Sequence, residues 1–96
     1  MRNAQIQKAY PLTTTWQRLE RADIARVGTI VQNQTANGSA SIFLSCDGAA
    51  TSDFAAIQLP PGANLYEDIL PPNGDVWAKT DALGGATLTL VLKYRG

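Results

Sequence analysis

Ninety-six residues, 45% hydrophobic and 17% charged, make one domain with a single thin core and exclude a disordered chain. Eight basic against eight acidic residues give zero net charge, which argues against a general electrostatic grip on nucleic acid or anionic lipid. The lone cysteine, Cys46, excludes an intrachain disulfide, and the absence of histidine excludes Ser-His-Asp or Cys-His chemistry within one chain.

The chain opens Met-Arg-Asn-Ala-Gln, without the apolar core of a signal peptide. No run approaches the ~20 apolar residues of a membrane span. Residues 1–11 are polar, with scattered Ile6 and Tyr10 and no useful periodicity. They are expected as an extended N-terminal arm, either frayed or laid on a neighbouring subunit. Pro11 holds Tyr10 extended. Residues 12–21 carry Thr13-Thr14-Thr15, then Trp16 and Leu19. β-branched residues and Trp favour a strand there, with Leu12, Thr14, Trp16 and Arg18 on one face. Residues 20–25 are too few for an isolated helix and are expected as a loop or one helical turn.

Residues 26–33 predict a strand with Val27, Thr29 and Val31 on one face and Gly28, Ile30 and Gln32 on the other. Gly28 within it predicts a bulge or the close approach of another group. Asn37-Gly38 is the strongest short hairpin signal, so residues 41–47 are expected as the hairpin partner, with Ile42, Leu44 and Cys46 on one face. Cys46 then reads as a small buried hydrophobe. Two glycosylation sequons, at Asn33 and Asn37, read as coincidence without a secretory signal. Residues 54–59 predict a further strand, stopped by Pro60-Pro61-Gly62.

Residues 63–70 follow, with Leu65 and Ile69 as apolar points, and Pro71-Pro72-Asn73-Gly74 makes another turn. Val76-Trp77-Ala78-Lys79 and the run from Ala86 to Tyr94 are expected as a second hairpin, joined through Asp81 and Gly84-Gly85. In the last strand Ala86, Leu88, Leu90, Leu92 and Tyr94 share a face, so that face requires a second layer. About seven short strands separated by Gly, Pro and Asn turns predict an all-β chain, an antiparallel, jelly-roll-like β-sandwich spanning 12–96 behind the arm at 1–11.

Candidate chemistry is sparse. A zinc site would need Cys46 plus carboxylates. Glu67 and Asp68 are adjacent, and adjacent strand residues point apart, so they form no acid–base dyad. Asp47, Asp53, Asp75 and Asp81 sit in turns without calcium-loop spacing and read as turn formers. No cofactor and no metal are expected. Trp16, Tyr66 and Trp77 serve either as core or as a sugar-binding face. The low charge, below the ~25% usual for soluble domains, suits a surface that packs on protein as well as a plain uncharged β-domain. Basic residues lean toward the N-terminal third (Arg2, Lys8, Arg18, Arg21, Arg26) and acids follow later.

The strand Arg26-Val27-Gly28-Thr29-Ile30-Val31-Gln32-Asn33, the turn Leu59-Pro60-Pro61-Gly62-Ala63, and Val76-Trp77-Ala78-Lys79 before a Gly-rich turn and final strand resemble the small β-sandwich virion proteins of tailed bacteriophages. The resemblance starts at Arg26; residues 1–25 show no comparable pattern. It implies a non-enzymatic structural role in a virion assembled in the host cytoplasm. The expected function is capsid decoration, with a neck or tail fibre component as the alternative and a receptor-facing carbohydrate-binding module as another class. The expected partners are the major capsid protein or another virion protein, and copies of the chain itself, a trimer being favoured. The residues expected at such an interface are Ile6, Tyr10, Leu12, Trp16 and Arg18.

Overall fold

The computed structural model describes residues 4–34, 40–46, 56–62, 64–71 and 73–95. Within them the chain is all β: β1 (Ala4–Leu12), β2 (Gln17–Glu20), β3 (Arg26–Asn33), β4 (Ile42–Ser45), β5 (Ile57–Leu59), β6 (Leu65–Glu67), β7 (Val76–Thr80) and β8 (Ala86–Tyr94). They form two four-stranded sheets, ordered β1-β8-β3-β6 and β2-β7-β4-β5. Every pairing is antiparallel. Consecutive strands cross from one sheet to the other at every step except β4 to β5. That alternation is the jelly-roll connection.

β8 is the central strand around which the core is built. Leu88, Leu90 and Leu92 are fully buried, while Thr87 is exposed and Thr89, Val91 and Lys93 are half-buried on the other face. Across the sandwich they join a core that includes Ile42, Leu44, Leu59, Val76 and Ala78. Each of the buried Leu, Ile and Val side chains contributes about 1.5–3 kcal/mol on leaving water.

Two expected hairpins are absent. β3 and β4 lie in different sheets, as do β7 and β8. Each strand buries one alternating face, and a facing sheet covers that face where a flanking strand cannot. Gly85 takes the chain across between β7 and β8 at φ +86. Its N–H donates to Ala82 O at 2.9 Å, and a Cβ there would lie 2.9 Å from Leu12 O. The Asn37-Gly38 signal, the sequon Ser39, Asp47, Asp53, Phe54 and residues 1–3 lie outside the described residues.

Residues 4–11, expected as an arm apart from the sandwich, form most of β1 and pair with β8 from Ala4↔Tyr94 to Leu12↔Ala86. Backbone pairing, not side-chain burial, holds them: residues 4–9 are all exposed. The strand expected over 12–21 shrinks to β2. Leu12 ends β1, and the chain turns through 13–16, where Thr13 O accepts from Thr80 N. Leu12, Thr14, Trp16 and Arg18 therefore share no face. Residues 21–25 form a loop with a turn at 24–25.

The expected bulge at Gly28 is present, as a register shift between Arg26 and Gly28 against β8. A Cβ at Gly28 would lie 2.5 Å from Asp68 Oδ1 and 2.7 Å from Lys93 Cε. Asp68 adopts φ 55; its carboxylate accepts from Thr29 N at 3.0 Å, and its own N–H donates to Thr29 O. Beyond the bulge Thr29, Val31 and Asn33 face inward, while Val27 is left exposed.

Candidate interaction surfaces

The five residues expected at an interface separate in the fold. Leu12 is 2% exposed and belongs to the core, because the end of β1 sits over the opposing sheet. Ile6 is 45% exposed on β1. Tyr10 is half-buried against the core. Trp16 is half-buried between β1 and β2 in sequence, and Arg18 is exposed, its guanidinium 5.9 Å from the Trp77 ring centroid. Trp77 is also half-buried, so neither Trp stands bare as a stacking platform. Tyr66 packs against the core.

β1 and β2 are the neighbouring edges of the two sheets, and a small polar cluster joins them. Lys8 Nζ lies 2.9 Å from Glu20 Oε2, and the Tyr10 hydroxyl donates to the same carboxylate and approaches Leu19 O at 3.3 Å. Burial first, and then the bond to Glu20, pushes the Tyr10 phenol above its ordinary value, while nearby Lys8 opposes that rise. The bond to Glu20 raises Lys8. The cluster fastens the sheets together on this side.

Three further carboxylates hold turns. Asp75 Oδ1 accepts from Ala22 N at 2.7 Å and Oδ2 lies 3.5 Å from Trp77 Nε1. Asp81 Oδ1 accepts from Ser41 N at 2.9 Å. Asp23 Oδ1 accepts from Ala25 N at 2.9 Å. Among the described residues no group of three His, Cys, Asp or Glu side chains converges to hold a metal ion.

The two ends of the sandwich differ in charge. One end gathers the termination of β1, the start of β8 and the loops 13–16, 40–41, 60–62 and 81–85. Ladder and loop bonds fix this grouping: Leu12↔Ala86, Ile42↔Thr80, Ile42↔Leu59, and Asp81 N to Ser41 O. Asp81 is the one charged residue in those loops. Leu83 (98%) and Leu65 (67%) are bare there. Beside them a recess of about 350 Å³ is lined by Pro11, Leu12, Gln34 and residues 84–87. The opposite end gathers Arg21, Asp23, Asp75 and Arg95, joined through Asp23 N to Asn73 O and Arg95 N to Ala25 O. There the buried Arg26 braces the loops by donating to Arg21 O and Gly74 O. The lean of basic residues toward the N-terminal third does not become a basic end and an acidic end: Arg21 and Arg95 share one end with Asp23 and Asp75. Sequence reasoning missed Leu83 and Leu65; the low overall charge was its only signal.

No protein-family model and no curated protein matches the chain. One solved structure shares the fold. It is described as "Bacillus endospore appendages form a novel family of disulfide-linked pili", and the likeness has a TM-score of 0.55 at 10% identity over 96% of this chain and 85% of that one. At that identity the two share an architecture.

Proposed function

We propose that the chain is a non-enzymatic structural subunit of a bacteriophage virion, a capsid-decorating protein that docks through the end of its sandwich whose loops carry Asp81 as their one charge. The segregation of charge carries this reading. Drying a surface that bears ionised side chains costs several kcal/mol per unpaired ion, whereas drying apolar surface is favourable by roughly 25 cal/mol per Å². The end with bare Leu83 and Leu65 and the recess beside them is therefore the end that gains by being covered. The end with Arg21, Asp23, Asp75 and Arg95 is the end suited to water.

Three further points support the reading. Jelly rolls serve as viral capsid and lectin domains, an analogy at the level of fold. The carboxylates Asp23, Asp75 and Asp81 are committed to backbone N–H groups, which suits a scaffold better than a catalyst. A chain of the same architecture comes from pili. On a particle, many weak contacts become effective together through multivalency. In this reading the partners are the major capsid protein and neighbouring copies of the chain.

The test uses Leu83→Asp combined with Leu65→Asp, both at exposed positions. The double variant is expected to fold like the parent and to lose co-sedimentation with particles that lack the protein. Undiminished binding by the folded variant rejects docking through this end. Recovery of the parent with isolated necks or tails instead of heads moves the protein to that part of the virion.

A further inference from the structure

β1 is an edge strand, and its outer side pairs with no strand among the described residues. Two observations decide which of its backbone groups face outward. Gln34 N donates to Thr87 O at 2.8 Å, so Thr87 spends its backbone groups on the β3 side. Backbone groups in a strand alternate sides, so Leu88, Leu90 and Leu92 turn theirs toward β1, where they meet Tyr10, Lys8 and Ile6. The outward groups on β1 are then those of Gln5, Gln7, Ala9 and Pro11. Pro11 agrees with this parity: it lacks an N–H, and it sits where the ladder to β8 asks for none.

Edge strands in soluble proteins are guarded by bulges, short length, prolines or free charges. β1 is nine residues long and runs without a register shift against β8. Lys8 is the one charged residue within it, and its ammonium is drawn across to Glu20 on β2. Pro11 guards only the far end. From Ala4 to Tyr10 the edge is open.

We propose that β1 pairs antiparallel with β1 of a second copy, about a two-fold axis at Gln7. This partnership is independent of docking on a particle. In that register Gln5 meets Ala9 of the partner, Gln7 meets Gln7, and Ala9 meets Gln5. The three pairs supply about six hydrogen bonds, two each. Centring the axis on Ala9 instead sets Pro11 opposite Gln7, and each of those two pairs loses one of its two bonds because Pro11 has no N–H. Centring it on Gln5 leaves only the Gln5 pair within the strand. The edge is self-complementary in this register, which selects a second copy as occupant. Lys8 falls opposite Ile6 of the partner, so no like charges oppose each other, and the half-exposed Ile6 gains the aliphatic stem of that lysine as cover. The other face of the joint carries only Gln5, Gln7 and Ala9. The two sheets merge into one sheet of eight strands.

Sedimentation equilibrium over a concentration series, with thermal unfolding in parallel, tests the pairing. Gln7→Lys and Gln7→Glu keep every backbone group and set like charges together on the axis. Each alone is expected to associate about fivefold more weakly than the parent, and their equimolar mixture to recover the parent's association. Gln7→Pro removes one outward N–H and no bond of the β8 ladder. It is expected to stay folded and monomeric, whereas Lys8→Pro loses a ladder bond and unfolds at lower temperature. A parent that stays monomeric up to millimolar concentration, a species of three chains, or association of the Gln7→Lys protein equal to the parent's overturns the two-fold pairing. Particle binding by a protein that stays monomeric would leave the docking reading intact while refuting this one.

Discussion

Leu90→Ala probes the centre of the fold. Leu90 is fully buried, on a strand flanked by β1 through Lys8 and by β3 through Val31. Its side chain faces the opposing sheet, where Ile42, Leu44 and Ala78 are also fully buried. Truncation removes the transfer free energy of the lost groups and leaves a cavity. Leu→Ala replacements of this kind cost about 2.7–5 kcal/mol, more where the surroundings cannot collapse. A central strand held on both sides collapses poorly, so about 3–5 kcal/mol is expected here. A domain of this size has only about 5–15 kcal/mol in total. At about 4–8 °C per kcal/mol, the melting temperature should fall by at least about 12 °C. Urea unfolding followed by tryptophan fluorescence measures the loss, with Leu83→Ala as the control at an exposed position, expected within about 0.5 kcal/mol. A loss below about 1 kcal/mol at Leu90 would show that β8 does not face a packed second layer.

Gly85→Ala should cost about 1–2 kcal/mol, because φ +86 suits glycine and the added Cβ meets Leu12 O at 2.9 Å; thermal unfolding checks it, and an unchanged midpoint would mean that the crossing turn has another shape. Thr29→Val should stabilise the protein by about 1 kcal/mol, since the buried Thr29 hydroxyl has no hydrogen-bond partner among the described residues and valine keeps its shape. Chemical denaturation reads this change, and a clear loss would mean that the hydroxyl is bonded. The Tyr10 phenol is raised above its ordinary value of 10.0, so above that pH the unfolded chain gives up a proton that the folded chain keeps. Its stabilising contribution is therefore complete below pH 10.0 and lost as pH rises through the higher folded-state value. Tyr10→Phe should flatten the alkaline decline in melting temperature; an unchanged decline assigns it to other groups.

The strands that carry the core were legible because side chains report them. Leu88, Leu90 and Leu92 alternate with polar or half-exposed neighbours, and Ile42, Phe43 and Leu44 make a short apolar run. Which sheet each strand joins was not legible. Alternation tells which face is buried, but says nothing of whether the next strand lies beside it or across from it. Gly84-Gly85 announces a reversal that serves an arch between sheets as well as a hairpin. β1 escaped notice because its bonding is in the backbone, and its inward row includes Lys8. Leu12 was assigned to an interface for the same reason: without β1, its burial has no visible cause. The charge-poor end could not be seen in advance, since residues 13–16, 60–62 and 81–85 meet only through the topology.

Imaging of an intact particle at side-chain resolution tests the functional claim most directly. Density for this chain should place Leu83, Leu65 and the recess beside Gly84-Gly85 against protein of the head, with Arg21 and Arg95 toward solvent. A chain seated with Arg21 and Arg95 on the particle, and Leu83 standing in water, would contradict it.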